Sequence, residues 1–216
     1  MATPKDKTKL KNESELRAMQ VLNCRAAETE GEDGGFIVEG YAARYEAYPL
    51  YEDMKGNMIY EQFSRDNFEG ADKSDIILQY DHEGRVYART SNGSLIVTPD
   101  DEGLHVIADL GRTESARQLY EEIKSGMITK MSWRFTVPDD AYQYDKDAHL
   151  LTYSRIGKIY DVSAVSIPAN DSTSISARNF VNGLIEEEEA RIESAKRLEE
   201  RKAAIKAKLG GNPNAD

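Results

Sequence analysis

A single cysteine, Cys24, and three histidines are all that the 216-residue chain offers of the side chains from which disulfide frameworks, iron–sulfur clusters and zinc sites are usually made. An internal disulfide is excluded, and a reducing compartment fits. No metal or cofactor is expected. Cys24 stands in Asn23-Cys24-Arg25 with no histidine near it in sequence, so it reads as a structural or surface thiol rather than a nucleophile. No run approaches the roughly 18 apolar residues of a membrane-spanning helix. The N-terminal lysines Lys5, Lys7, Lys9 and Lys11 are not followed by the apolar stretch of a secretory signal. The chain is therefore expected to be neither secreted nor membrane-bound. Positive charge is also in deficit: 28 basic residues against 39 acidic ones give a net charge of -11, which opposes binding to a nucleic acid backbone through the bulk field.

What is present suits one domain of moderate size with tails. Residues 1–13 are polar and lysine-rich and read as a basic, disordered tail; 14–183 carry the β-rich patterning of a folded domain; 184–216 read as a charged helix ending in a disordered tail. In that helix Glu186 to Glu189 precede Lys202, Lys206 and Lys208, a distribution that complements the macrodipole. Ile185, Ile192, Ala195, Ile205 and Leu209 give it only an irregular apolar stripe, so it is either a surface helix or a docking tail.

Within the domain, short runs of β-formers follow one another. Phe36 to Tyr45, Met58 to Phe63, Ile76 to His82, Val86 to Thr90, Ser94 to Thr98 and Leu104 to Leu110 read as strands, with turns at Glu83-Gly84 and Pro99 to Gly103. Leu16 to Leu22 is either a strand or a short helix. Thr113 can cap a helix whose apolar positions Ala116, Leu119, Tyr120 and Ile123 share a face and which Gly126 stops. Asp139 to Asp147 reads as a polar loop, and Leu150 to Tyr153 and Ile159 to Ile167 as the last strands. The order suggests an antiparallel meander.

The stretch Met127 to Val137 has two chemically different faces. Met127, Met131, Trp133, Phe135 and Val137 alternate with Lys130, Ser132, Arg134 and Thr136, so Ser132 looks away from the apolar side. A serine there is ordinary unless a base reaches it. His82 is the candidate, since it ends the row Ile76, Leu78, Tyr80 at a strand terminus; a loop-capping role is the alternative. His105 alternates with Leu104 and Val106, and His149 sits at an exposed loop end. Asp161, an acid among β-formers, is either a solvated edge residue or a partner for a histidine.

The combination Tyr80-Asp81-His82, Gly84-Arg85, Gly126-Met127, Met131-Ser132-Trp133-Arg134-Phe135 and Tyr160 to Asn170, with Gly40-Tyr41-Ala42 and Glu61-Gln62-Phe63 upstream, resembles the prohead (capsid maturation) proteases of tailed bacteriophages, of the HK97 type. The resemblance spans about residues 36 to 180. It implies the fold of the related herpesvirus assemblins, mainly β with flanking helices and built on a closed antiparallel β-barrel. It further implies that Ser132 is the nucleophile, His82 the general base and acid, and Asp161 the residue that orients His82. Many members of the family have Glu at the Asp161 position, and assemblins use a second histidine, so His105 is the rival third member. The chain order His, Ser, acid would be another arrangement of a known geometry. Backbone N–H groups at Trp133 or Arg134 are the oxyanion candidates, and Arg134 could also contact substrate.

The function so implied is a serine endopeptidase that cleaves scaffold proteins or the scaffolding segment of the capsid protein, and itself, during prohead maturation. Its location would be the host cytoplasm and then the interior of the prohead, with self-association, and with neither nucleic acid nor membrane as a partner. Two alternatives stand beside it. One is a non-enzymatic scaffold or assembly module that keeps the fold alone. The other is a zymogen whose site forms only on oligomerisation.

Overall fold

The computed structural model describes residues 15–18, 25–26, 35–53, 55–166 and 175–209. In chain order the strands are β1 (Glu15–Ala18), β2 (Arg25–Ala26), β3 (Ile37–Arg44), β4 (Tyr48–Glu52), β5 (Met58–Glu61), β6 (Ile77–Tyr80), β7 (Glu83–Arg89), β8 (Leu95–Pro99) and β9 (Gly103–Asp109). Helix α1 (Glu114–Lys124) follows, then β10 (Lys130–Thr136), β11 (Tyr142–Asp145), β12 (Leu150–Tyr153), β13 (Lys158–Val165) and helix α2 (Ile175–Leu209). The chain divides into a unit of residues 1–178 and a second unit of residues 179–216. The tail expected at 1–13 and the terminus expected at 210–216 lie outside the described residues.

The strands form three open sheets, in the orders β1-β10-β13-β6-β7, β11-β12-β5-β4 and β2-β3-β9-β8. Among the described residues the fold is mainly β with two helices, and the closed antiparallel barrel expected from the resemblance is not formed. Closure would need the outer strands to pair with one another, and the outer strands are poor partners. β1 and β2 are four and two residues long. β4 contains Pro49 and β8 ends on Pro99, neither of which has an amide hydrogen to give. Nor is the arrangement a plain meander, since β13 lies parallel to β6 and β12 parallel to β5. Each of those pairs joins segments far apart in sequence, as parallel pairing requires.

Helix α1 follows its sequence closely. The Thr113 hydroxyl accepts a hydrogen bond from the Ala116 amide at 3.1 Å, Glu114 and Lys124 sit at the ends that the dipole favours, and Gly126 ends the segment with φ 77°. Ala116, Leu119, Tyr120 and Ile123 are buried, and Phe36 meets the Tyr120 ring edge-on at 5.2 Å. The predicted loop 139–147 contains β11 instead. Tyr142 and Tyr144 alternate there with Gln143 and Asp145 and pair with Tyr153 to Leu150 of β12.

The core behind the five-stranded sheet is aromatic. Trp133 stacks on Phe135 at 4.0 Å between centroids, and Phe63 touches Trp133 at 5.1 Å, Phe135 at 5.6 Å and Tyr153 at 5.0 Å. Trp133, Phe135 and Phe63 are fully or almost fully buried, which anchors one face of β10 and so fixes which residues the other face presents. Met127, assigned by alternation to the core side, is 80% exposed because the strand begins only at Lys130. One carboxylate, Glu61, is fully buried and accepts hydrogen bonds from the Tyr48 and Tyr153 hydroxyls, so its oxygens are not left without partners. Gly103 is required where β9 crosses the bulge in β3, since a Cβ there would lie 2.0 Å from the Ala43 carbonyl oxygen.

In the second unit, α2 carries an exposed charged surface, with Lys202 paired to Glu199 at 2.7 Å and Ile192 and Leu198 exposed.

Candidate active site

Register places the candidate residues side by side. β13 runs through the middle of the five-stranded sheet, between β10 and β6, with Ser132 opposite Ser163 and Arg134 opposite Asp161. Residues directly opposite one another share a face, so Ser132, Arg134, Asp161 and Ser163 all stand on the side turned away from the aromatic core. Asp161 is 1% exposed on a central strand, which removes the solvated-edge alternative.

His82 reaches this face through the hairpin between β6 and β7. Tyr80 pairs with Glu83, so the two-residue loop is Asp81-His82 and not the Glu83-Gly84 turn read from the sequence. Both loop residues have left-handed φ, 49° and 61°, the sign pattern of a type I′ turn. Such conformations cost roughly 1–2 kcal/mol per non-glycine residue, and Asp and His are among the side chains that tolerate them best. The turn is tied down by Asp81. Its carboxylate accepts from the Ser166 amide and hydroxyl, each at 2.8 Å, and its own amide donates to the Ala164 carbonyl at 3.0 Å. The end of β13 thus holds the loop that carries the histidine.

The resulting contacts form a chain. His82 Nε2 is 2.6 Å from Ser132 Oγ, and His82 Nδ1 is 2.5 Å from Asp161 Oδ1. Ser163 Oγ donates to the same carboxylate oxygen at 2.8 Å. Arg134 Nε faces the other oxygen, Oδ2, at 3.5 Å, an ion pair rather than a hydrogen bond, while Arg134 Nη2 donates to the His82 carbonyl at 3.3 Å. A hydroxyl, an imidazole and a guanidinium thus surround the buried carboxylate, so its oxygens are not left without partners. An anion beside Nδ1 selects the tautomer that carries its proton there, which leaves Nε2 free to accept from Ser132.

The sequence offers the backbone N–H groups of Trp133 or Arg134 as oxyanion donors and the Arg134 side chain as a substrate contact; the guanidinium turns toward Asp161 and the His82 backbone. Trp133 is core. The backbone of both lies in β10, between β1 and β13. His105 is not brought to this cluster: it stands on β9 in another sheet, with its ring 4.9 Å from that of Tyr41. His149 is half-buried, and its Nδ1 is 3.2 Å from the Tyr144 hydroxyl. Ser163 and Asp81 were not picked out from sequence, although Ser163 is the alternation neighbour of Asp161. Among the described residues no group of three or more His, Cys, Asp or Glu side chains could hold a metal ion. A cleft of about 570 Å³ is lined by Arg85, Tyr87 and the α1 residues Glu114, Ser115, Gln118, Leu119 and Glu122. None of the clustered residues lines it.

A serine hydroxyl hydrogen-bonded to an imidazole that is itself held by a buried carboxylate is the constellation of a serine peptidase. A family model described as caudovirus prohead serine protease matches residues 21–185, well over half of the chain, and the chain belongs to that family. It is a serine peptidase of phage capsid maturation. No curated protein and no solved structure matches it.

Proposed function

We propose that Ser132, His82 and Asp161 are the catalytic triad, and that the enzyme cleaves scaffold proteins or the scaffolding segment of the capsid protein inside the prohead, and also its own chain. The single observation that carries this reading is the continuous contact from Asp161 Oδ1 through both nitrogens of His82 to Ser132 Oγ, at 2.5 and 2.6 Å. Ser132 Oγ forms a bond to the scissile carbonyl carbon while its proton passes to His82 Nε2. The tetrahedral adduct collapses with breakage of the C–N bond, and His82 returns the proton to the departing amine. A water then repeats the sequence on the acyl-enzyme, with His82 again taking and returning one proton, and Ser132 is regenerated. Asp161 remains ionised throughout and steadies the imidazolium. Arg134 and Ser163 hold that carboxylate in place, which makes them positioning residues. The protein acts within the host cytoplasm and the prohead, and it associates with itself there.

The test is incubation of the purified protein with its phage's scaffold and capsid proteins, followed by intact mass. Time-dependent truncation in wild type and none with Ser132→Ala is the expected result. Equal truncation in both proteins would refute the reading.

A further inference from the structure

We propose that the outer edge of β10 is where the substrate main chain binds, as an added antiparallel strand, and that residues Glu15–Ala18 of the same chain occupy that edge in the structure as a placeholder which substrate must replace. The inference rests on the assignment of Ser132 as nucleophile.

Main-chain pairing beside Ser132 is open on one edge of β10. On its inner side β10 is paired to β13, and the space beside Ser132 is filled by Ser163, Asp161 and the His82 ring. A peptide that pairs its main chain with β10 must therefore do so along the outer side. That side is covered by β1, the edge strand, with Ala18 opposite Ser132, Arg17 opposite Trp133, Leu16 opposite Arg134 and Glu15 opposite Phe135. Ser132 is 1% exposed in this arrangement, so no scissile carbonyl can come within bonding distance of it until something moves. The four-residue β1 is the element paired directly across from the nucleophile on that side.

The chemistry of a strand edge fits the occupant. Main-chain pairing recognises any extended polypeptide and leaves discrimination to side-chain positions, which is what a peptidase acting on several proteins needs. Successive residues of a strand direct their amides to opposite edges, so of the adjacent Trp133 and Arg134 one directs its N–H toward β1. Departure of β1 frees that donor beside the nucleophile. β1 also remains tethered, since six residues separate it from β2 in another sheet. A competing substrate strand therefore faces a high local concentration of the placeholder and wins only when it is itself concentrated, as inside a closed shell.

The probe is a fluorescein-labelled synthetic peptide of residues 12–22, added to the full-length Ser132→Ala protein so that nothing is cleaved, with binding read by anisotropy. Adding Leu16→Pro and Arg17→Pro to the protein removes whichever of the two adjacent amides faces β10. The peptide should then bind at least tenfold tighter, and a peptide carrying the same two prolines should bind to neither protein. Equal affinity in the two proteins, or tight binding of the proline peptide, would overturn the proposal. A lock that does not depend on the folding of the proline variant is the pair Ala18→Cys and Ser132→Cys in a Cys24→Ser background, since directly paired strand residues lie within disulfide range. The oxidised protein should not bind the peptide and reduction should restore binding; binding indifferent to oxidation would overturn the proposal. Fluorophosphonate labelling of the Leu16→Pro/Arg17→Pro chain with Ser132 intact separates the two claims. A labelled serine with unchanged peptide binding removes the edge proposal alone, and no labelling despite peptide exchange removes the nucleophile assignment alone.

Discussion

Replacing Asp161 with asparagine isolates the part of the site that the sequence left most open. The substitution keeps volume and hydrogen-bonding capacity in a pocket where the side chain is 2% exposed, so no water enters to take over the missing charge. The amide can present either its oxygen or its NH2 to His82 Nδ1. With Arg134 3.5 Å from Oδ2 and the Ser163 hydroxyl 2.8 Å from Oδ1, both carboxylate positions are set against donors. One of those donors must lose its acceptor. Where the NH2 group turns to Nδ1, the imidazole carries its proton on Nε2 and cannot accept from Ser132. Loss of the anion also removes the charge that steadies the imidazolium. Tautomer reversal of this kind lowers kcat by about 10⁴ in serine peptidases, which is roughly 5 kcal/mol of barrier. The assay is single-turnover cleavage followed by intact mass, run beside His105→Ala, which should stay within about threefold of wild type because His105 stands on another sheet. Asp161→Asn within tenfold of wild type, or a loss for His105→Ala as large as the one expected for Asp161→Asn, would refute the reasoning.

Three further outcomes follow from the same geometry. Arg134→Met should lower kcat by about tenfold, roughly 1.4 kcal/mol, with KM unchanged and partial rescue by Arg134→Lys, because it removes the charge beside Asp161 and the bond to the His82 carbonyl. Trp133→Ala should destabilise the fold by about 3–5 kcal/mol in denaturant unfolding, since it empties the fully buried position that Phe63, Phe68 and Phe135 enclose. Asp72 is held down to about 2 by the Ser74 backbone amide and hydroxyl and by Lys158, to which it pairs at 3.0 Å at the start of β13. Its folded pKa is depressed, so its contribution to stability is complete above the unfolded value near 4 and is lost as pH falls toward 2. Asp72→Asn should therefore flatten the acid limb of the stability profile in that window and leave neutral stability less affected by further acidification.

Much of the site was legible because its logic is local. The alternation Met131, Trp133, Phe135 against Ser132 and Arg134 fixes the faces of β10, and a deep aromatic core makes a slip of register expensive. The Thr113 cap and the apolar stripe of α1 are likewise local, and both stand as read. What the residues do not encode locally is partnership. Nothing in Asp161 itself distinguishes an edge carboxylate from one on a central strand until β6 is known to pair with β13 in parallel, Asp161 opposite Ile77, 84 residues away. The same non-local pairings divide the strands into three open sheets where the resemblance implied a closed barrel. The hairpin loop lies two residues before the turn that the sequence suggests, because Glu83-Gly84 carries the better turn chemistry. Asp81-His82 accepts left-handed backbone instead, with Ser166 holding it. Ser163 carries no signal as a serine in a strand, and its role is visible only in its hydroxyl's bond to Asp161.

The central claim is that Ser132 is a nucleophile activated by His82, and phosphonylation tests it most directly. Prolonged incubation with a fluorophosphonate, digestion with trypsin and mass spectrometry should find one adduct, on the tryptic peptide Met131-Ser132-Trp133-Arg134, absent with Ser132→Ala and strongly suppressed with His82→Ala. An adduct that persists in Ser132→Ala, or a Ser132 that reacts equally well without His82, would contradict the account.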